Sequence, residues 1–590
     1  MLPHKKIELK LQAAVRELLP DADVSAVLVR PCDPKFGDYQ SNALMALAKA
    51  RKLDPRQLAA DVVARLDVSG VCDPVTIAGA GFLNFRLIPA LLRQTLEAAA
   101  RGEHLFFDLA ANPKTVVIDF SSPNVAKPMH VGHIRSTGIG DALQRVLRLL
   151  GHRVISDNHI GDWGTQFGKL LLGWKQLLDR PALERDAIAE LERLYKVINA
   201  ECDAHPARLE AAKAELVLLQ AGDADNVAIW REMIALSQKQ FDAIYGRLGV
   251  SFDVALGESF YNPCLGGVVA DLLARGIARE SEGAVGVFSD GSLPPREDPF
   301  LVNRDGEWLP DPALVRKSDG GFNYTTTDLA TVDYRLKTWS PRDIVYVVDD
   351  RQSGHFKKLF LIVDRWQPAA AKNTRLVHVG FGKILGDDGK PFKTRSGDTV
   401  KLGDLLDEAE ARAFVIVSEK SSDMPEAQRR EIARVIGLGA VKYADLLPNR
   451  QSDYIFSWDK MLALQGNTAP YLQYAYARIQ SIFRKSESSS SLVTRHSSLA
   501  LAAPEEFALA KHLLNFGLTL EAVAGEYRPN FLCNYLYDLA GKFTSFYECC
   551  PVLKAETDAT RDSRLALCAL TARVLKQGLA VLGIEVVEQM

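Results

Sequence analysis

None of the eight cysteines in this 590-residue chain forms a Cys-x-x-Cys pair. Cys32, Cys72, Cys202, Cys264, Cys533, Cys549, Cys550 and Cys568 are scattered, which argues against a zinc site and against a secreted disulfide framework. No apolar run is long enough to cross a bilayer, and the start, Met1-Leu-Pro-His-Lys-Lys6, lacks the apolar core of a signal peptide. The expectation is a cytoplasmic protein with no membrane partner. Neither sign of charge dominates: 71 basic and 74 acidic residues leave a net charge of −3. Any contact with nucleic acid must therefore come from local basic and aromatic patches. The Gly-x-x-x-x-Gly-Lys-Ser/Thr loop and the Gly-x-Gly-x-x-Gly fingerprint are both missing, so neither of those phosphate cradles is used.

The rest of the composition is ordinary for a globular protein, with 47% hydrophobic and 25% charged residues. The length is too great for one core and predicts several domains. One stretch organises them. Thr115 to Phe120 reads as a buried parallel strand, and Ile134, Ile139, Leu143, Val146, Leu147 and Leu150 fall on one face of a following helix that Gly151 stops. A second strand, Arg153 to Asp157, comes at once. The loop between the first strand and the helix thus lies at a carboxyl strand end, where open α/β sheets bind ligands. It carries His130 and His133 around Gly132, beside Lys127, at a helix start whose free N–H groups and dipole attract anions. The arrangement suits a phosphate.

The string Ser121-Ser-Pro-Asn-Val-Ala-Lys-Pro-Met-His-Val-Gly-His-Ile-Arg-Ser-Thr137 resembles the first signature of class I aminoacyl-tRNA synthetases, in the form found in arginyl-tRNA synthetases. The resemblance implies a Rossmann-type α/β catalytic domain with a parallel sheet and helical insertions. It also implies a small N-terminal α/β domain and a C-terminal all-α domain that binds the anticodon. The expected division is an appended tRNA-contacting domain over 1–105, a catalytic domain over 106–400 with an insertion near 170–250, a connecting segment over 401–450 and an anticodon-binding domain over 451–590. Such enzymes use ATP to activate L-arginine and pass the arginyl group to the 3′-terminal adenosine of tRNA(Arg). Arginyl-adenylate is the intermediate, and AMP and pyrophosphate are released. ATP, arginine and tRNA(Arg) are then the partners, Mg2+ accompanies the nucleotide, no zinc is needed and a monomer is expected. The resemblance further implies that tRNA binds before arginine is activated.

Activation asks the protein to place the carboxylate against the α-phosphate and to neutralise charge on the oxygens. His130, Gly132 and His133 are candidates for that, with a lysine. Class I members usually carry this lysine in a second signature, and the matching place here, Phe392-Lys-Thr-Arg-Ser396, departs from it. The resemblance moves the missing charge to Lys127, with Lys393 and Arg395 as further phosphate ligands; a basic surface turn is the bland alternative for these two.

A guanidinium substrate needs a carboxylate that accepts two parallel hydrogen bonds, walled by an aromatic ring. Tyr324 and Asp328, four apart at a helix start, share a face and offer this pair, although Asp328 there also favours the helix dipole. The resemblance adds Gln352 to the pocket and gives the α-amino and carboxylate end to Ser122, Asn124 and His133. In the expected tRNA-contacting regions, Phe36, Tyr39 and Gln40 lie on a turn and suit an unpaired base. Tyr471, Tyr474 and Arg478 lie at helical spacing, and the resemblance adds Tyr547 and Met590 as anticodon contacts, although a tyrosine stripe is also what a core contains.

Two stretches carry no chemistry at this level. Residues from about 170 to 249 read as a helical insertion, and 258 to 312 as loops and short strands. Two other readings stay open: a non-catalytic tRNA-binding paralogue, and a class I enzyme for cysteine or glutamate. The last is disfavoured by the absent zinc ligands in one case and by Asp328 in both.

Overall fold

The computed structural model describes residues 1–392, 400–486 and 499–590. Lys393 and Arg395, and most of the serine-rich stretch after Lys485, lie outside the described residues. The chain packs into two units, one of residues Ala111–Leu462 and one that joins Met1–Ala110 to Ala463–Met590. Among the described residues no helix is long and apolar enough to cross a membrane.

The unit Ala111–Leu462 is built on a four-stranded parallel sheet. Thr115–Asp119 lies between Arg153–Asp157 on one side and Asp343–Tyr346 on the other, and Arg375–His378 forms the far edge. Thr115–Asp119 and Arg153–Asp157 stand where the sequence predicts them. The near-continuous burial of these two and of Asp343–Tyr346 is what a sheet covered on both faces demands. The strand order reverses between Thr115–Asp119 and Asp343–Tyr346, so the ligand crevice of such a sheet lies outside the carboxyl ends of these two.

The signature helix, Val131–Leu149, follows the first strand and packs Ile134, Ile139, Leu143, Val146 and Leu147 inward. Gly151, at φ 87°, takes the left-handed conformation that ends it. Gly140 lies so close to the Phe120 ring that a Cβ there would collide with it.

Five helices from Gln166 to Leu248 form the insertion. Beyond it the structure departs from the reading of loops and short strands: Leu265–Ala274 is a helix whose Leu265, Val268, Val269 and Leu272 enter the core. Gly266 and Gly267 obscured that periodicity in the sequence. Strands Ala278–Ser281, Ala284–Val287 and Ala313–Arg316 pack as an antiparallel sheet beside it. Helices Leu402–Lys420 and Glu426–Leu446 complete the unit.

The second unit opens with helix Pro3–Leu18 and a four-stranded antiparallel sheet. Its first strand is only Arg30–Pro31, since the Val29 N–H just before it donates to Glu8 Oε1 instead of to a ladder partner. Among the described residues, five helices between Ala469 and Val581 make up its all-α part. Lys5 with Glu521, at 2.8 Å, and Lys511 with Asp38, at 2.7 Å, tie the two parts of this unit together.

Candidate active site

The loop after the first strand is held in an uncommon backbone conformation. Ser121, Ser122 and Ala126 all have positive φ, at 73°, 48° and 63°. Each such residue costs about 1–3 kcal/mol and persists only where its surroundings over-determine it. They do so here. The Ser121 N–H donates to Ser136 Oγ at 2.8 Å, the Ser122 N–H to Asn158 Oδ1 at 3.0 Å and the Ala126 N–H to Ser237 Oγ at 2.9 Å. Tyr245 shares a 2.8 Å hydrogen bond with the Ser121 hydroxyl. Ser237 and Tyr245 belong to insertion helix Ala224–Leu248, so a stretch in which the sequence shows no chemistry braces the loop that carries it.

His130 is the N-cap of the signature helix. Its Nδ1 accepts from the Gly132 N–H at 3.1 Å, and His133 Nδ1 accepts from the His130 N–H at 3.0 Å. An imidazole that accepts on Nδ1 and is neutral must carry its proton on Nε2. Both rings are held toward the neutral form: burial pushes His130 down, and burial, followed by the unfavourable pairing with an imidazolium at His130, pushes His133 down to about 3. With ring centroids 4.0 Å apart, they offer two neighbouring Nε2–H donors as well as capping the helix. Gly132 is exposed between them.

Lys127 is half-buried, and its ammonium lies 4.9 Å from the Tyr195 ring centroid, a second contribution of the insertion. Asn124 is exposed and its backbone bridges to Gly161.

Helix Tyr324–Trp339 starts at Asn323, whose side chain accepts from the Tyr324 N–H at 2.8 Å. Tyr324 is 61% exposed, and Asp328 lies one turn on. Both meet His355, from the next helix: Nε2 is 2.6 Å from Asp328 Oδ2, and the ring is edge-on to Tyr324 at 4.8 Å. The shared face expected for Tyr324 and Asp328 is therefore present. The partner of Asp328 is an imidazole rather than the helix N-terminus. Gln352 is exposed, at the end of the short helical turn leading into Ser353–Trp366.

Glu258 also faces this place. Burial pushes its carboxyl up to about 7, opposed by His159 and reinforced by the negative charges of Asp328 and Asp162. A half-buried carboxyl among other carboxyls is costly as an anion until a cation arrives. Beneath, Arg335 on the same helix as Asp328 is fully buried, with Nη2 2.6 Å from Asp119 Oδ2 and 2.8 Å from Asp157 Oδ2. Ser122 Oγ donates to the other Asp119 oxygen at 3.0 Å. The ends of two strands, the signature loop and the helix of Tyr324 and Asp328 are thus locked to one guanidinium.

Comparison with known proteins agrees with this geometry. Residues 97–458 match the family described as tRNA synthetases class I (R), catalytic domain. Residues 472–590 match the DALR anticodon binding domain, and 5–87 the arginyl tRNA synthetase N terminal domain. The chain is 45% identical over 592 aligned residues to an arginine–tRNA ligase of Salmonella agona, covering 99% of this chain and all of the relative. It is 46% identical to that of Citrobacter koseri with the same coverage. This chain belongs to the arginyl-tRNA synthetases. Its fold superposes on the arginyl-tRNA synthetase of Thermus thermophilus with a TM-score of 0.82 at 25% identity, covering all of both chains. Against that of Plasmodium falciparum the TM-score is 0.81 at 29% identity, covering 100% and 99%.

Elsewhere in this synthetase, the terminal unit sorts the aromatic candidates. Phe36 is 45% exposed, with the Lys35 ammonium 4.8 Å over its ring. Tyr39 departs from the expectation of a surface ring: it is 2% exposed in strand Tyr39–Ser41 and packs near His4, so it offers no face to a base. Gln40 is half-buried and its amide donates to Asn84 Oδ1 at 2.6 Å. Tyr474 is 45% exposed, Tyr471 lies 5.6 Å from Tyr537, and the Arg478 guanidinium lies 4.4 Å over Tyr547. Met590 is half-buried at the end of a tail held by Gln473, which donates to the Glu585 carbonyl, and by Arg484, which donates to that of Glu588.

Sequence reasoning missed Glu258, His355, Arg335 and Tyr195. Each is a single residue in an unremarkable local pattern, and only the fold brings it to the crevice. The stretch Asp349-Asp-Arg-Gln-Ser-Gly-His355 did contain a signal, since His355 follows Gln352 by one helical turn.

Proposed function

We propose that this chain is an arginine–tRNA ligase. The carboxylate of L-arginine attacks the α-phosphate of ATP and pyrophosphate leaves. The 2′-hydroxyl of the tRNA terminal adenosine then attacks the carbonyl of the adenylate, and AMP leaves. The observation that carries this reading is the set of carboxylates at the crevice. Asp328, beside Tyr324, and Glu258, held near neutrality until a cation comes, fit a guanidinium and reject a carboxylate side chain.

Around that set, the Nε2–H edges of His130 and His133 and the helix start at Gly132 donate to phosphate oxygens, and Lys127 adds the charge that the departing second signature lacks. Ser122, Asn124 and His133 hold the α-amino and carboxylate end, and Gln352 closes the guanidinium pocket. Lys393 and Arg395 are assigned to the pyrophosphate by their place in the sequence. Magnesium enters with the nucleotide, on its phosphates and water: among the described residues no group of three or more His, Cys, Asp or Glu side chains is placed to hold a metal ion. Phe36 and Gln40 serve the corner of the tRNA, and Tyr471, Tyr474, Arg478, Tyr547 and Met590 serve the anticodon. The protein acts in the cytoplasm, as a monomer.

A charging assay with a purified tRNA pool and ATP, run with arginine and with each other amino acid, tests the reading. Acceptance of arginine alone is expected. Charging with cysteine or glutamate, or tRNA binding without any charging, contradicts it.

A further inference from the structure

One turn into the signature helix, the Arg135 side chain is withdrawn from solvent, and so is the Asp445 carboxylate that pairs with it. Both are 1% exposed, and Nε lies 3.1 Å from Oδ1. Asp445 stands near the end of helix Glu426–Leu446. Arg135 Nη1 also donates to the Ser452 carbonyl at 3.1 Å, and the guanidinium lies over two rings, 5.1 Å from the centroid of Tyr454 and 5.8 Å from that of Phe381. A buried ion pair adds little net stability over apolar residues of similar volume, so stability alone does not account for this one. What a planar guanidinium does supply is direction: it fixes the angle and spacing of the groups it touches.

Those groups lead to the second signature. Strand Tyr454–Ile455 pairs in parallel with Ile384–Leu385. The Lys383 N–H donates to Asp453 Oδ1 at 2.6 Å, and the Gly382 N–H to the Arg450 carbonyl at 2.8 Å. From there the chain turns back. The Phe392 N–H donates to the Ile384 carbonyl at 3.1 Å, and the Phe392 ring stacks on Phe456 at 4.6 Å. Phe392 immediately precedes Lys393. On the far side, residues 400–402 pair with the first signature itself. The Val131 N–H donates to the Val400 carbonyl and the Leu402 N–H to that of Met129, both at 2.9 Å, with Lys401 bridged to His130. Both flanks of the second signature are thus fixed to one helix start, the returning flank through the backbone around His130 and the leading flank through the Arg135 side chain.

We propose that Arg135 is a positioning residue for adenylate formation. Buried, it touches neither substrate; it registers the segment leading into Lys393 against His130 and His133, so that groups from both signatures meet the same phosphates. A misplacement of about 1 Å among groups that act together can cost about 10²-fold in rate, and this sets the scale of the effect. The inference rests on the reading of Lys393 as a pyrophosphate ligand.

The test is ATP–pyrophosphate exchange by the full chain with tRNA present, with the KM values for ATP and arginine measured separately and a urea midpoint for every variant. Arg135→Met leaves Asp445 buried without its cation, so its midpoint should fall. Arg135→Met/Asp445→Asn removes both charges and should recover most of the midpoint. Its exchange rate should nonetheless stay about 10²-fold below native, with the KM for arginine within a few-fold. Arg135→Lys keeps the charge without the planar fork and should recover the midpoint better than the rate. In a Lys393→Ala background the double change should cost less than about 10-fold, because the group it positions is gone. Recovery of the native exchange rate together with the midpoint in Arg135→Met/Asp445→Asn marks a merely structural pair and overturns the inference. So does a native rate in Arg135→Lys, or the full loss in the Lys393→Ala background. If Lys393→Ala alone exchanges at the native rate, the reading beneath the inference fails instead.

Discussion

Arg335 Nη2 and Asp119 Oδ2 meet at 2.6 Å with the guanidinium wholly removed from solvent, and this contact joins the end of the first strand to the helix that presents Tyr324 and Asp328. Burial alone would favour the neutral arginine, yet Asp119 and Asp157 hold its pKa well above the usual value. The same Asp119 takes the Ser122 hydroxyl, so the amino-acid end and the guanidinium end of the proposed pocket share one anchor.

Arg335→Met should therefore destabilise the fold, since it leaves two buried carboxylates unpaired. The expected cost is about 3–5 kcal/mol, read as a lower urea midpoint. In protein that still folds, the KM for arginine should rise more than that for ATP. An unchanged midpoint would show that the clamp is not holding these elements.

Lys127→Ala should lower the rate of arginine activation by about 10²- to 10³-fold at saturating ATP, the usual loss for one preorganised donor to a developing oxyanion. Its packing over Tyr195 makes a second variant informative. Tyr195→Leu, which keeps apolar bulk but removes the π face, should lower the rate by less. Near-native activation by Lys127→Ala would return the missing charge to the loop of Lys393.

Glu258 gives a prediction with a definite sign. Its folded-state pKa, about 7, lies above the usual 4.5, so the folded state binds more protons than the unfolded state between those values. Stability from this group is thus present below about pH 4.5 and is lost as pH rises toward 7, at roughly 1.4 kcal/mol per unit at most. The difference in unfolding free energy between native protein and Glu258→Gln should fall over that window, and saturating arginine with tRNA should reduce the fall. A flat difference would mean that Glu258 does not sense its burial.

Much of this site is legible in the sequence because local chemistry is written locally. An apolar β-branched run, two histidines around Gly132 and a helical stripe specify the strand, the capped helix start and the helix in one stretch. Tyr324 and Asp328 are readable because one helical turn separates them. Glu258, His355 and Arg335 are silent because their significance is a contact across the fold; a lone glutamate ahead of Ser259-Phe-Tyr261 looks like any helix start. Tyr39 misleads for the converse reason. Its turn-like neighbours suggest a surface, while pairing of strand Tyr39–Ser41 with Phe82–Phe85 turns the ring inward.

In the terminal unit, Tyr474→Ala removes an exposed ring and should change stability by less than about 0.5 kcal/mol. If the ring stacks on a tRNA base, the KM for tRNA should rise by about 10-fold, with arginine and ATP little affected. An unchanged KM for tRNA would assign the anticodon contact to Tyr547 and Arg478 instead.

The account's central claim is that the carboxylate set at the crevice reads the guanidinium of arginine. The most direct test is the steady-state kinetics of Asp328→Ala, with the KM values for arginine and ATP measured separately in tRNA charging. The account predicts a rise in the arginine KM of at least about 30-fold, the loss of a charge-assisted pair worth 2 kcal/mol or more, with the KM for ATP within a few-fold of native. Equal losses for the two substrates, or none for arginine, would contradict it.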